Sequence, residues 1–156
     1  MRWPGHVPAG TTSDQVICCT DVLATLASVV GAPLPPGQAE DSIDALRAFT
    51  ETKPVPPVRD HLVLQAADAT YAIRMGNQKL IERVDAPPFE HRNRRQAQLA
   101  ERRKKNGPKA DELFDLAADP SETNNIASGN SEQATGMKRR LVEARDRGFT
   151  RPGAGK

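Results

Sequence analysis

Proline placement constrains this chain more than any other feature. Eight of its 13 prolines fall within the first 57 residues, three of them at positions 33, 35 and 36 and three at 54, 56 and 57. Each fixes its own φ, lacks an N–H, and disfavours helix in the residue before it. Long regular structure in the first third is therefore confined to "TDVLATLASVVG", residues 20–31. Thr20 is the expected N-cap and Asp21 sits in the first turn, while Val22, Leu23, Leu26, Val29 and Val30 recur at helical spacing up to a stop at Gly31. "DSIDALRAFTE" predicts a shorter amphipathic turn or two with Ile43, Leu46 and Phe49 on one side, and "TKPVPPV" an extended linker.

The texture changes after the linker. "HLVLQ" reads as a short strand. "TYAIRMGNQKLIERV" reads as two strands about Gly76-Asn77, with Tyr71, Ile73 and Met75 alternating before the turn and Leu80 and Val84 after it. "ELFDL" is a fourth strand and "DPSETNN" a turn cluster. A closing helix runs from Ser131 to Arg147, with Met137, Leu141 and Ala144 as its buried stripe and Gly148 as its stop. Only 37% of residues are hydrophobic and 4% aromatic, so the core is thin and built from Leu, Val, Ile and Ala. These pieces define an α+β fold: an apolar helix with loops, then a small, mostly antiparallel four-stranded sheet carrying a C-terminal helix. The expected division is 1–52 and 53–156.

Charge is uneven. Residues 1–90 hold 7 Lys/Arg against 11 Asp/Glu, and residues 91–156 hold 15 against 9. The excess concentrates in an insert, 91–109, containing Arg92, Arg94, Arg95, Arg102, Arg103, Lys104, Lys105 and Lys109 but almost no apolar stripe. It is expected to be solvent-exposed. Such a run attracts polyanions through counterion release, but without interleaved aromatics it lacks the stacking platforms of a specific nucleic-acid site. The two cysteines, Cys18 and Cys19, are adjacent, which excludes a disulfide framework. No apolar stretch approaches bilayer length, and the N-terminus lacks a basic region followed by an apolar core, so neither a membrane partner nor an export signal is expected.

The order of "RWPGHVPAGTTSDQV", "TDVLATLASVVGAPLP", "DSIDALRAF", "YAIRMGNQKLIE" and "ELFDLAADPSETNNIA" resembles the C-terminal third of bacterial arylsulfatase-type sulfatases, in the alkaline-phosphatase-like superfamily. The resemblance covers nearly the whole chain. It implies that 1–52 is the end of an α/β catalytic domain and 53–156 an antiparallel-sheet subdomain. It also implies that Arg2-Trp3-Pro4-Gly5 ends a catalytic-domain strand, so that Met1 is an internal position; the alternative is a simple tight turn. The chain departs from the pattern at Ala24, where the family commonly has proline in the first helical turn, and in the length of the basic insert. Neither disturbs the assignment, because proline there only pre-sets φ.

For the parent enzyme the resemblance implies sulfuric ester hydrolysis with a formylglycine nucleophile from a Cys/Ser-x-Pro-x-Arg motif and a calcium ion held by Asp and Asn. The sequences after Cys18 and Cys19 lack both the proline and the arginine. Asp41 with Asp44, and Asp115 with Asp119, are spaced to share a helical face but bring too few oxygens for a hard cation. They read as solvated or capping residues, and Asn124-Asn125 as turn chemistry. No catalytic, cofactor-binding or metal residue is therefore expected here. Three residues are candidates to line a substrate cleft: His61 before the first strand, and Arg74 and Lys79 on either side of the hairpin turn. The ordinary alternative for His61 is a surface histidine at a strand start.

Two function classes follow. One is the C-terminal part of a sulfatase that shapes one side of the cleft, is inactive alone, and has as partners the preceding catalytic section and a sulfated small molecule or glycan. The other is a non-catalytic binding or structural remnant that holds polyanions through 91–109. In either case the helix at 20–30 lacks a sheet to cover its apolar stripe, which leaves self-association open. Location is left open, since sulfatases are often exported.

Overall fold

The computed structural model describes residues 1–53, 55–66, 70–82 and 110–152. Its contacts divide the chain into two compact units, Met1–Leu62 with Ala144–Lys156, and Val63–Glu143. Val84 and the basic insert 91–109 lie outside the described residues. No described helix is long and apolar enough to cross a membrane.

The second unit is built on a single sheet. Strands β1 (Leu62–Gln65), β2 (Tyr71–Met75), β3 (Gln78–Ile81) and β4 (Glu112–Asp115) lie in the order β1-β2-β3-β4, with β2–β3 and β3–β4 antiparallel. The β2–β3 connection is only two residues long. Gly76 takes φ 57° at its first position, the left-handed conformation that a II′ hairpin needs and that a side chain would resist. The turn sets a register in which Ile73, Leu80 and Leu113 form one cross-strand row. All three are fully buried, and Met137 and Leu141 of helix α3 (Ser131–Arg147) pack on them as the hydrophobic core. The helix reaches the sheet because Met137 and Leu141 are four residues apart and so share a face.

The free side of β4 is covered rather than left as an open edge. Ile126 donates its N–H to the Leu113 carbonyl at 2.9 Å, and the Asn125 side-chain oxygen accepts the Leu113 N–H at 3.1 Å. The "NNI" segment thus stands in for a fifth strand on two ladder groups, which blunts the edge against pairing with other chains.

The first unit contains helices α1 (Asp21–Val30) and α2 (Leu46–Thr50). α1 ends in a Schellman motif: Gly31 has φ 69°, its N–H donates to Ser28 O, and the Ala32 N–H donates to Ala27 O. Two sequence expectations need correction here. Thr20 flanks α1 but its hydroxyl makes no capping bond; it donates instead to the Asp41 carbonyl and lies 2.8 Å from Cys18 Sγ. The start is tied one turn earlier, where Asp21 accepts the Cys18 N–H at 2.8 Å and Asp21 N–H donates to Cys18 O. In the second helical stretch the buried positions are Ser42, Ala45 and Ala48, while Ile43, Leu46 and Phe49 are half-buried. The small residues turn inward because Ser42 and Ala45 bond directly to α1. Arg2-Trp3-Pro4-Gly5 leads into a tight turn, in which the Trp3 carbonyl accepts from His6 and Val7 and Gly5 has φ 81°.

Candidate functional site

The most organised chemistry in the first unit is a buried polar cluster on the inner side of α1. Asp21 and Arg59 form an ion pair with side chains 3% and 2% exposed. The same carboxylate accepts the Ile43 N–H at 3.0 Å as well as the Cys18 N–H. Ser42 Oγ accepts the Ala24 N–H at 2.8 Å, and Thr25 Oγ1 donates to Asp21 O while accepting the Ala45 N–H. Apart from the Cys18 contact just before the helix, every one of these bonds ties α1 to a segment 18–38 residues away, or closes a turn of the helix itself. The cluster is architectural: its acceptors are engaged by backbone donors and by one cation.

His61 is next to this cluster in sequence and, contrary to the surface alternative, is buried, with a side chain 4% exposed. Its Nδ1 lies 2.5 Å from Asp60 Oδ1, and its Nε2 has no hydrogen-bond partner among the described residues. A ring so enclosed offers no face to a solvent-borne substrate in this unit as it stands.

Arg74 and Lys79 sit opposite each other across the β2–β3 ladder, on the sheet face away from the core row. The structure brings these two candidates together and distinguishes them. Lys79 Nζ donates to both Glu122 oxygens, at 2.7 and 2.8 Å, so its charge is already spoken for. Glu122 itself takes a left-handed conformation, φ 54°. Arg74 donates through Nε to Gly76 O at 2.9 Å, which leaves its terminal nitrogens without a partner among the described residues. Of the three candidates, Arg74 alone combines partial exposure with terminal nitrogens that bond no described residue.

The turn that carries Glu122 is organised by Asp119. Its Oδ2 accepts the N–H groups of Thr123 and Asn124, both at 2.8 Å, and its Oδ1 accepts the Thr123 hydroxyl. The Asn124 N–H bond, ahead of the Thr123 and Ser121 contacts, holds the carboxyl below the usual range against the opposing effect of partial desolvation. A carboxyl whose folded pKa is depressed adds stability above its unfolded value, about 3.9, and loses it as pH falls through the lower folded value. The Asp119→Ala variant is accordingly expected to melt below the wild type at pH 7, with the gap closing in acid; melting curves at pH 7 and at about pH 2.5 check this.

The described residues do not fit a calcium ion. Among the described residues no three His, Cys, Asp or Glu side chains are grouped to share one. The carboxylates flagged by spacing are already engaged: Asp44 accepts the Leu46 N–H and Asp115 the Ala117 N–H, each two residues away, while Asp41 accepts from Thr150, 109 residues away. Cys18 and Cys19 are both thiols, and neither has the sequence context of a formylglycine precursor.

The chain is 29% identical over 147 residues, 94% of its length, to the N-acetylgalactosamine-6-O-sulfatase of Bacteroides thetaiotaomicron, of which the match spans 27%. It is homologous to the C-terminal portion of sulfatases. No protein-family model matches it. A solved structure from work on the metabolism of multiple glycosaminoglycans by the same organism, labelled BT33336S-sulf, superposes on this chain with a TM-score of 0.63 at 30% identity. That match covers 81% of this chain and 24% of the larger chain. A protein solved with its substrate D-glucosamine-2-N,6-O-disulfate shares the fold with a TM-score of 0.62 at 20% identity, covering 93% of this chain and 27% of that chain. The chain thus spans about a quarter of the length of the relatives it matches. Its four-stranded antiparallel sheet and terminal helix are the α+β arrangement expected from the sequence.

Proposed function

We propose that this chain serves as the C-terminal part of a sulfuric ester hydrolase acting on a sulfated sugar, and that it is catalytically incomplete by itself. The observation that carries the reading is the match of 94% of the chain to only 27% of an N-acetylgalactosamine-6-O-sulfatase. The division at 1–52 and 53–156 then separates a segment belonging with the catalytic domain from the sheet subdomain. On the sheet, Arg74 is the residue suited to a sulfate group, because a guanidinium with free terminal N–H groups offers two parallel donors to an oxyanion. Lys79 supports it from the neighbouring strand by anchoring the Glu122 turn, and His61 contributes only where the surrounding catalytic section reshapes its enclosure. A formylglycine nucleophile and calcium, where the whole enzyme uses them, are held by residues other than those described here.

The test is a chimera in which residues 1–156 replace the matching region of the Bacteroides sulfatase, assayed for sulfate release from 6-O-sulfated N-acetylgalactosamine beside the isolated chain. The chimera is expected to release sulfate and the isolated chain to release none. Turnover by the isolated chain with an aryl sulfate would overturn its incompleteness, and a folded chimera without activity would overturn the sulfatase reading. Arg74→Ala in the chimera is expected to raise KM about tenfold with little change in kcat, the pattern for a lost ground-state contact.

A further inference from the structure

We propose that Cys18 and Cys19 form a dithiol site for a trivalent arsenic centre that carries an apolar substituent. The proposal stands apart from the sulfatase reading, which uses neither cysteine. Cys18 is partly exposed and Cys19 exposed, and both are free thiols. Adjacent Cα atoms are about 3.8 Å apart, short of the roughly 4.4–6.8 Å that an unstrained disulfide spans. The two sulfurs therefore resist closing on each other. One atom set between them enlarges the ring and eases that constraint.

The backbone that carries the pair is fixed. The Cys18 N–H donates to Asp21 Oδ2 at 2.8 Å, the Asp21 N–H to Cys18 O at 3.1 Å, and the Val22 N–H to Cys19 O at 3.3 Å. Asp21 is in turn held by its buried ion pair with Arg59, so both cysteines sit on a frame anchored inside the unit. The Thr20 hydroxyl donates to the Asp41 carbonyl at 3.3 Å and accepts the Cys18 S–H at 2.8 Å, which directs that thiol. A ligand that meets donors already in place loses less affinity to ordering them.

The surroundings select the ligand. A structural zinc ion takes four ligands, and among the described residues no third His, Cys, Asp or Glu joins the pair. The carboxylate of Asp21 is already engaged by Arg59 and by two backbone N–H groups. A trivalent arsenic whose third bond goes to carbon is complete with two sulfurs. Ile17 and Val22, on either side of the pair in the chain, are 41% and 57% exposed. Val22 lies one hydrogen-bonded turn after Cys19, the spacing at which side chains share a face. These two side chains offer aliphatic surface to the carbon substituent.

With an organoarsenic oxide the step balances without a redox partner. Two As–S bonds form, both S–H bonds and the arsenic–oxygen bonding break, and the two protons leave with the oxygen as one water. Arsenic stays trivalent and the sulfurs keep their thiol oxidation level. The second As–S bond closes within one molecule, so the pair holds the centre on the order of 10²–10⁴ times more tightly than either thiol alone.

The experiment adds phenylarsine oxide to the full 156-residue chain, reduced and freed of reductant, and reads intact mass, free-thiol count and retention through gel filtration. One arsenical per chain is expected, with a mass gain of the reagent less one water and the loss of both titratable thiols. The adduct is expected to be stripped by a small dithiol and to resist the same concentration of a monothiol. Cys18→Ser, Cys19→Ser and the matching Cys18→Ala and Cys19→Ala variants, each checked for wild-type circular dichroism, are expected to weaken retention at least about hundredfold. Val22→Ser is expected to weaken retention of the phenyl reagent about threefold and to leave that of inorganic arsenite unchanged. No uptake by the reduced chain, two arsenicals per chain, or an arsenical held as tightly by folded single-cysteine variants would each overturn the site. A Val22→Ser variant that changes both probes equally, or neither, would overturn the preference for an apolar substituent.

Discussion

Asp21→Ala is expected to cost about 3–5 kcal/mol of unfolding free energy, the range for removing one partner of a buried ion pair. The cost comes mainly from what the substitution leaves behind. Arg59 has a side chain 2% exposed, and its Nε already lacks an acceptor. Without Asp21 its charge has no carboxylate and no route to water, and the N–H groups of Cys18 and Ile43 lose their acceptors with it. Trp3, the only tryptophan of the chain, lies in the same unit, so its fluorescence in a urea titration reports on this loss. The double variant Asp21→Leu/Arg59→Met is expected to recover a large part of the stability, since replacing both charges removes the stranded ion and fills the volume. If the single variant costs less than about 1 kcal/mol, the value of an exposed pair, the burial argument fails.

The same cluster marks the boundary of what the sequence disclosed. Structure coded by neighbours was legible: Gly76-Asn77 announced a hairpin, Gly31 and Gly148 announced helix ends, and the four-residue spacing of Met137 and Leu141 announced the face of α3 that meets the sheet. The exposed stripe of α1 was legible too, as an apolar face with no sheet to receive it. What could not be read was the inner side of that helix. Asp21 looked like a first-turn acid at a helix end, yet it is buried by Arg59, 38 positions away, and Ser42 reaches Ala24 across 18. Nothing local to Asp21, Ser42 or Arg59 distinguishes such residues from solvated ones. The candidate cleft residues show the same limit. Arg74 and Lys79 are equivalent by position about the turn, and only Glu122, 43 residues from Lys79, makes one committed and the other available. His61 precedes the apolar run Leu62-Val63-Leu64, which marks a strand start but does not say whether the ring before it is enclosed.

Leu141→Ala is expected to destabilise the sheet unit by about 2–5 kcal/mol, the range for truncating a fully buried leucine to alanine. Leu141 is 0% exposed and closes the helix side of a core whose other members are Ile73, Leu80, Leu113 and Met137. Tyr71, Met75, Val63 and Ile126 pack against this core while staying partly exposed, and a close-packed interior relaxes only partially around a truncated side chain, so much of the cavity should persist. Met137→Leu, which nearly conserves volume at 5% exposure, should cost less than about 1.5 kcal/mol at the adjacent turn of the same helix. Trp3 lies in the other unit, so helix circular dichroism is the suitable probe here. A unit held by one row of sheet residues and two helix side chains should lose its helix signal and its sheet together when Leu141 is truncated. Retention of full helix signal after the sheet has melted would mean that α3 is held by something other than the Ile73–Leu80–Leu113 row.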